Sequence, residues 1–249
     1  DPVVAVSISP ATAAVGETLT CTPTASDADG EEPDVSITWP DGSSGPTYMV
    51  TAANDPSSTI TCTATASDAD GGTASDSASA TVINTDPEIV AISVTPTTGA
   101  VGDLLTCAAT ATDADGGELS VTYAWSDGSI GGSITIATGT TVGSDLVCTA
   151  TASDTDGGSD TATASATITN TAPTVDTISV SPATGKVGDT LTCTATASDA
   201  DGDTPSISYA WSTGTSGATY EIDSGDDPGD TITCTPSSIN AAAAIHSPA

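Results

Sequence analysis

The sequence predicts an all-β chain of three tandem β-sandwich modules forming an extended rod. Three observations predict it. Cys21, Trp39 and Cys62 recur as Cys107, Trp125 and Cys148, and again as Cys193, Trp211 and Cys234, each member returning after 86 residues without insertion or deletion. A strict period of that length marks a small domain copied in tandem and is too long for a solenoid turn. Around these landmarks apolar residues alternate with Thr and Ser at period two, the mark of half-buried strands. Asp-Gly, Pro and Ser clusters separate the segments, as turns between short strands require.

The first module takes residues 1–85. Val4, Val6 and Ile8 form one face of its opening strand. Pro10 and Gly16 follow, and keep the common step as Pro96 and Gly102, then Pro182 and Gly188. In the next strand Leu19, Cys21, Pro23 and Ala25 alternate with Thr20, Thr22 and Thr24. Val35, Ile37 and Trp39 are expected to share an inward face. Ile60, Cys62, Ala64 and Ala66 form another, and Ala78, Ala80 and Val82 belong to the strand that closes the module.

The second module takes residues 86–171 and the third residues 172–249. Asn84-Thr85-Asp86-Pro87 and Asn170-Thr171-Ala172-Pro173 join them; proline stiffens both linkers. Short, stiff linkers between like domains give a rod, on the order of 100 Å for three modules with strands of about 7 residues. The third module departs from the pattern. After Cys234 neither the Asp-x-Asp-Gly turn nor the closing strand follows; the chain runs Thr235-Pro236-Ser237-Ser238-Ile239-Asn240 into the alanines Ala241–Ala244. Two explanations stay open. Further modules of the same protein follow, or a neighbouring chain completes the sandwich in a linear polymer. Four alanines favour helix but are too few to hold one.

Composition fixes the compartment. Aromatic residues make up 3% of the chain and Phe is absent, so each core is small and aliphatic. A cross-link compensates. The equal spacing of the cysteines pairs Cys21 with Cys62, Cys107 with Cys148 and Cys193 with Cys234; by the loop-entropy model a loop of that length contributes roughly 4 kcal/mol. Matched pairs place the chain in an oxidising, extracellular or cell-surface setting. There are 33 acidic residues against one Lys, Lys186, for a net charge of −32. All three modules share in the acidity. It repels nucleic acid and anionic membranes, attracts cations, and also serves solubility in saline surroundings. No apolar run is long enough to form a membrane-spanning segment.

Short strands with a Cys…Trp…Cys order fit an immunoglobulin-like sandwich, with the first Cys on strand B, Trp on strand C and the second Cys on strand F. The Tyr that antibody domains carry two residues before the second Cys is Ile60, Leu146 and Ile232 here. The chain also resembles the PKD-like and immunoglobulin-like repeats of bacterial and archaeal extracellular surface proteins. The stretches that match are Tyr123-Ala124-Trp125-Ser126-Asp127-Gly128, Ala150–Gly158 and Ala164–Pro173, and the resemblance covers nearly the whole chain. It departs from the PKD pattern in its paired cysteines and in lacking an aromatic-Gly-Asp-Gly core. The resemblance implies spacers, stalks or adhesive units.

One constellation points to chemistry. Asp-x-Asp-Gly occurs five times, as Asp27/Asp29, Asp68/Asp70, Asp113/Asp115, Asp154/Asp156 and Asp199/Asp201. In such a sandwich the B–C and F–G turns lie at one end, so two pairs converge where a linker arrives. Calcium needs six to eight oxygens. Two pairs with Asn84, Asp86 or Glu88 approach that number; Asp-Gly is equally favoured in plain hairpin turns. Transition metals fit poorly, since the cysteines are paired and the single histidine is His246. That one histidine also leaves no Ser/His/Asp set. The carboxylates sit in copied turns without an aromatic platform for sugar, and the inward Trp residues suit core packing. The sequence therefore favours a non-enzymatic segment of a surface fibre, filament or adhesin stalk. The alternatives are a glycan- or protein-binding adhesive module and an accessory region of a secreted hydrolase.

Overall fold

The computed structural model describes residues 1–240, so the Ala241–Ala244 run and His246 lie outside the described residues. Those residues form β-strands and no helix. No helix among them is long and apolar enough to cross a membrane.

In the first repeat the strands are β1 (Val3–Ser9), β2 (Thr12–Ala13), β3 (Thr18–Ser26), β4 (Asp34–Thr38), β5 (Thr47–Met49), β6 (Thr59–Ser67) and β7 (Thr73–Val82). They make two sheets, ordered β1-β3-β5 and β2-β7-β6-β4. All pairings are antiparallel except β2 with β7, which is parallel. The chain thus opens on one sheet and crosses to the other between β1 and β2, where the Ser9–Pro10 peptide is cis. Gly16 follows at φ +86°, a conformation open to glycine, and its N–H donates to Val50 O at 2.9 Å. This two-sheet order is that of an immunoglobulin-like sandwich.

The second repeat carries β8 (Glu88–Thr95), β9 (Thr98–Gly99), β10 (Leu104–Thr112), β11 (Ser120–Trp125), β12 (Ser133–Thr135), β13 (Asp145–Ser153) and β14 (Ser159–Ile168). Its sheets run β12-β10-β8 and β11-β13-β14-β9. The third carries β15 (Thr174–Ser181), β16 (Thr190–Ser198), β17 (Pro205–Trp211), β18 (Thr219–Glu221) and β19 (Cys234–Asn240). Here the first sheet is complete, as β15-β16-β18, and the second has β17 and β19 alone among the described residues. Among the described residues neither β2 nor β7 has a counterpart in this repeat.

By density of contacts the chain divides into two compact units. One comprises residues 1–93, 108–124 and 149–164; the other comprises residues 94–107, 125–148 and 165–249. This division runs through the second repeat and so does not follow the repeat period.

Three disulfides join the sheets, Cys21–Cys62, Cys107–Cys148 and Cys193–Cys234, with Cα atoms 6.3 to 6.4 Å apart. The first links β3 to β6. Around it pack Leu19, Trp39, Val50, Ile60, Ala80 and Val82. Each Trp is buried and donates its indole N–H to a Gly carbonyl, Trp39 to Gly45, Trp125 to Gly131 and Trp211 to Gly217, all at 2.9 Å. None of the three is open to stack on a sugar. One expected inward residue differs: Val35 is 38% exposed. β4 is the edge of its sheet, and Val35 stands near its start, away from the disulfide.

Packing differs between the repeats in a compensated way. Ala13 and Val50 are buried in one core cluster of the first repeat. The equivalent positions are Gly99 with Ile136 and Gly185 with Ile222. A methyl group added at Gly99 would stand 2.8 Å from Ile136 Cδ1, and one at Gly185 2.6 Å from Ile222 Cδ1. The extra carbon of Ile fills the space the missing Ala carbon leaves. We therefore expect Gly99→Ala to destabilise by about 1–2 kcal/mol through overpacking. Adding Ile136→Val should restore most of that loss, as urea denaturation of the single and double variants would show.

Candidate functional site

The turns after β3 and β6, and their counterparts in the later repeats, gather the first Asp of each pair around the residues that lead into the repeat. Asn84, Thr85, Asp113, Asp115 and Asp154 form the best-furnished group. Thr85 donates both its backbone N–H and its hydroxyl to Asp115, the hydroxyl at 3.1 Å. Asn84 Nδ2 donates to Asp154 Oδ2 at 2.9 Å. Asp154 Oδ1 accepts the N–H groups of Asp156, Gly157 and Gly158 at 2.7 to 2.8 Å, and Asp113 Oδ1 accepts that of Asp115 at 2.8 Å. The bond from Asn84, with those backbone donors, holds the Asp154 carboxyl below the usual carboxylate range.

The group recurs at the second linker with one change. Thr171 donates its N–H and hydroxyl to Asp201, and Asp201 N–H donates to Asp199. Asn240 stands where Asp68 and Asp154 stand in the earlier repeats. Its Nδ2 donates to Asn170 Oδ1 at 2.9 Å and to Thr171 O at 3.1 Å. At the start of the chain Asp27 accepts the Asp29 N–H and Asp68 accepts that of Gly72, at 2.9 and 2.7 Å.

Among the described residues several buried oxygens in these groups have no hydrogen-bond partner: Asp27 Oδ2, Asp113 Oδ2, Asp199 Oδ2, Asn84 Oδ1 and Asn240 Oδ1. Three of them are one oxygen at one repeat position. A buried carboxylate oxygen without a donor is costly, and a bound cation or water would relieve the cost. Gly158 keeps one space open. A methyl group there would meet Asp154 Oδ2, and would stand 2.7 Å from both Asn84 Nδ2 and Asp86 Oδ1. Among the described residues no three carboxylate, thiol or imidazole side chains meet closely enough to hold a metal ion by themselves.

The expected site residues therefore sort into two sets. Asp27, Asp68, Asp113, Asp115, Asp154, Asp199 and Asp201 point into the groups, and Asp115 is the one buried charged side chain among the described residues. Asp29, Asp70 and Asp156 are exposed on the turns, and Asp86 is exposed but reaches the space above Gly158. Thr85, Thr171 and Asn240 are partners that sequence reasoning missed. The signal for the threonines was available: both sit at the common step in the linkers.

No family model matches the sequence, and no curated protein matches it. Among solved structures the chain is similar to the three N-terminal domains of the Highly Immunogenic Outer Capsid protein (Hoc) of bacteriophage RB49, at 17% identity over 85% of this chain and 75% of that one, with a TM-score of 0.28. It is similar to FdeC, an Escherichia coli adhesin, at 20% identity over 84% of this chain and 78% of that one, TM-score 0.28. It is also similar to the titin domains z1z2 in complex with telethonin, at 17% identity over 67% and 95%, TM-score 0.31. Likenesses this distant assign no function, and the fold rests on the strand order and the disulfides.

The threonine clamp makes a matched test. Asp115→Ala removes the acceptor of two donors and should cost about 2 kcal/mol of stability. Asp29→Ala, at the same repeat position but without such a partner, should stay within about 0.5 kcal/mol. Chemical denaturation of the two variants measures the difference.

Proposed function

We propose that this chain is a non-enzymatic, extracellular structural segment of a surface fibre, filament or adhesin stalk, with calcium bound at its repeat junctions. The linker clamp carries the reading: Thr85 on Asp115 and Thr171 on Asp201 repeat one geometry at one step. A protein that copies its linker contacts along with its domains is built to hold them in a set relation. Three disulfides belong in an oxidising compartment and support the surface location. Immunogold labelling of native cells with antibody to the chain tests the location. Label on surface appendages supports it, and label confined to the cell interior overturns it.

Calcium would be held by Asp113, Asn84, Asp154 and Asp86, with water and backbone oxygens completing the shell. The ion would supply the partner that Asp113 Oδ2 and Asn84 Oδ1 lack among the described residues. The second junction is poorer, because Asn240 and Ala172 replace Asp154 and Asp86. Calorimetry should therefore find calcium binding that Asp154→Asn abolishes and Asp199→Asn leaves nearly unchanged. A chain with no calcium heat at millimolar concentration, and a thermal midpoint indifferent to chelator, would refute it.

A further inference from the structure

Aspartate followed by glycine is a reactive pair. The glycine nitrogen, unhindered by a side chain, attacks the aspartate's own carboxyl carbon. The sequence holds seven such pairs, all in the connections between strands. The reaction needs two free groups: a carboxyl able to swing onto the next residue, and an amide nitrogen able to leave its hydrogen bond. The structure withholds one or both at all but two of the pairs.

Asp115 and Asp201 are held by the linker threonines, whose N–H and hydroxyl donate to the two carboxylate oxygens. Asp41 accepts the N–H and hydroxyl of Ser43 at 2.9 and 2.6 Å, and Asp127 those of Ser129 at 2.9 and 3.1 Å. The bonds from Ser43 hold the Asp41 carboxyl below its usual range, so it stays ionised and a poor target for a nucleophile. In these two pairs the glycine nitrogen is engaged as well: Gly42 donates to Trp39 O at 3.0 Å and Gly128 to Trp125 O at 2.9 Å. Asp156 is protected at the nitrogen, because Gly157 N–H donates to Asp154 Oδ1 at 2.7 Å, a charge-assisted bond.

Asp29-Gly30 and Asp70-Gly71 remain. Both aspartates are exposed. The carboxylate bonds of their turns go to the first Asp of each motif: Asp29 N–H donates to Asp27 Oδ1 and Gly72 N–H to Asp68 Oδ1. Gly30 N–H reaches Asp27 O only at 3.3 Å and Gly71 N–H reaches Asp68 O at 3.4 Å, beyond the usual range of about 2.7–3.2 Å. We propose that Asp29 and Asp70, both in the first repeat, are the chain's sites of spontaneous isoaspartate formation. The glycine nitrogen bonds to Cγ, and the carboxyl oxygen leaves as water with the amide proton. Water then opens the resulting cyclic imide. Opening at Cγ restores aspartate; opening at the main-chain carbonyl leaves the chain running through Cβ and Cγ, with no net change in mass. Each converted turn gains one methylene in its backbone, beside Asp27 and Asp68. The linker threonines thereby have a second role, since they keep Asp115 and Asp201 from reacting. Neither Asp29 nor Asp70 belongs to the proposed cation site, so either idea can fail alone.

The test ages the whole folded chain in neutral buffer with chelator. Mapping uses a protease that cuts before aspartate but not before isoaspartate. Cleavage should disappear at Asp29 and Asp70 without a change in mass, at least about 10-fold faster than at Asp156, where a charge-assisted bond must break first. The chain reduced and unfolded in urea should react at all of its Asp-Gly pairs at similar rates, showing that the fold makes the choice. A chain carrying Asp29→Ala and Asp70→Ala should lose most of its isoaspartate. Conversion of Asp115, Asp156 or Asp201 in the folded chain as fast as Asp29 and Asp70 would overturn the proposal. So would a folded chain inert at both sites, or the same preference for them in urea.

Discussion

One covalent bond per repeat sets the height of everything at the junctions. Each disulfide ties a strand of one sheet to a strand of the other, so the two chains leave it from fixed points. The first Asp of each turn lies six residues beyond its cysteine on both strands: Asp27 after Cys21 and Asp68 after Cys62, Asp113 after Cys107 and Asp154 after Cys148. At about 3.3 Å per residue the two runs are equally long, and an even offset keeps the Asp on the side its cysteine faces. The carboxylates therefore arrive together, inward and partly buried. Their missing hydrogen-bond partners follow from the same spacing.

This explains why the fold was legible in the sequence and the site only in part. Period-two alternation names the inward face wherever both neighbours of a strand are present, as it does for Ile60, Cys62, Ala64 and Ala66 on β6. It fails at Val35, because alternation cannot say that β4 is an edge. At the turns the rule stops. Asp68 and Asp70 are identical letters two apart, yet the strand ends at Ser67, and only the Asp next to it keeps the strand's orientation. Asp115 and Asp201 are held inward by a linker threonine, while Asp29 has no such partner and is exposed. Partner identity, not motif, decides which carboxylate is buried.

The repeats also show which contacts the fold requires and which it can trade. Tyr48 leans on Trp39 at 5.2 Å between ring centroids, and its hydroxyl lies 3.2 to 3.4 Å from Asn54. Tyr220 does the same with Trp211 and Asp226, and that bond raises the Tyr220 pKa. The second repeat has Ile134 and Thr140 at these positions. A buried phenol brings a polar tip that must be satisfied, so the partner six residues on changes with it. The Ala13–Val50 and Gly99–Ile136 pairs trade one carbon in the same manner. Disulfide, Trp and the indole bond to a Gly carbonyl are not traded in any repeat.

The third repeat extends that argument to whole strands. It has no described counterpart of β2 or β7, yet it keeps its cross-link, its buried Trp and Tyr, and the complete sheet β15-β16-β18. The ladder between β15 and β16 keeps its register apart from one bulge between Val175 and Thr177. In the chain that follows Pro182, Gly188 N–H still donates to Ile222 O at 2.8 Å, as Gly16 N–H does to Val50 O.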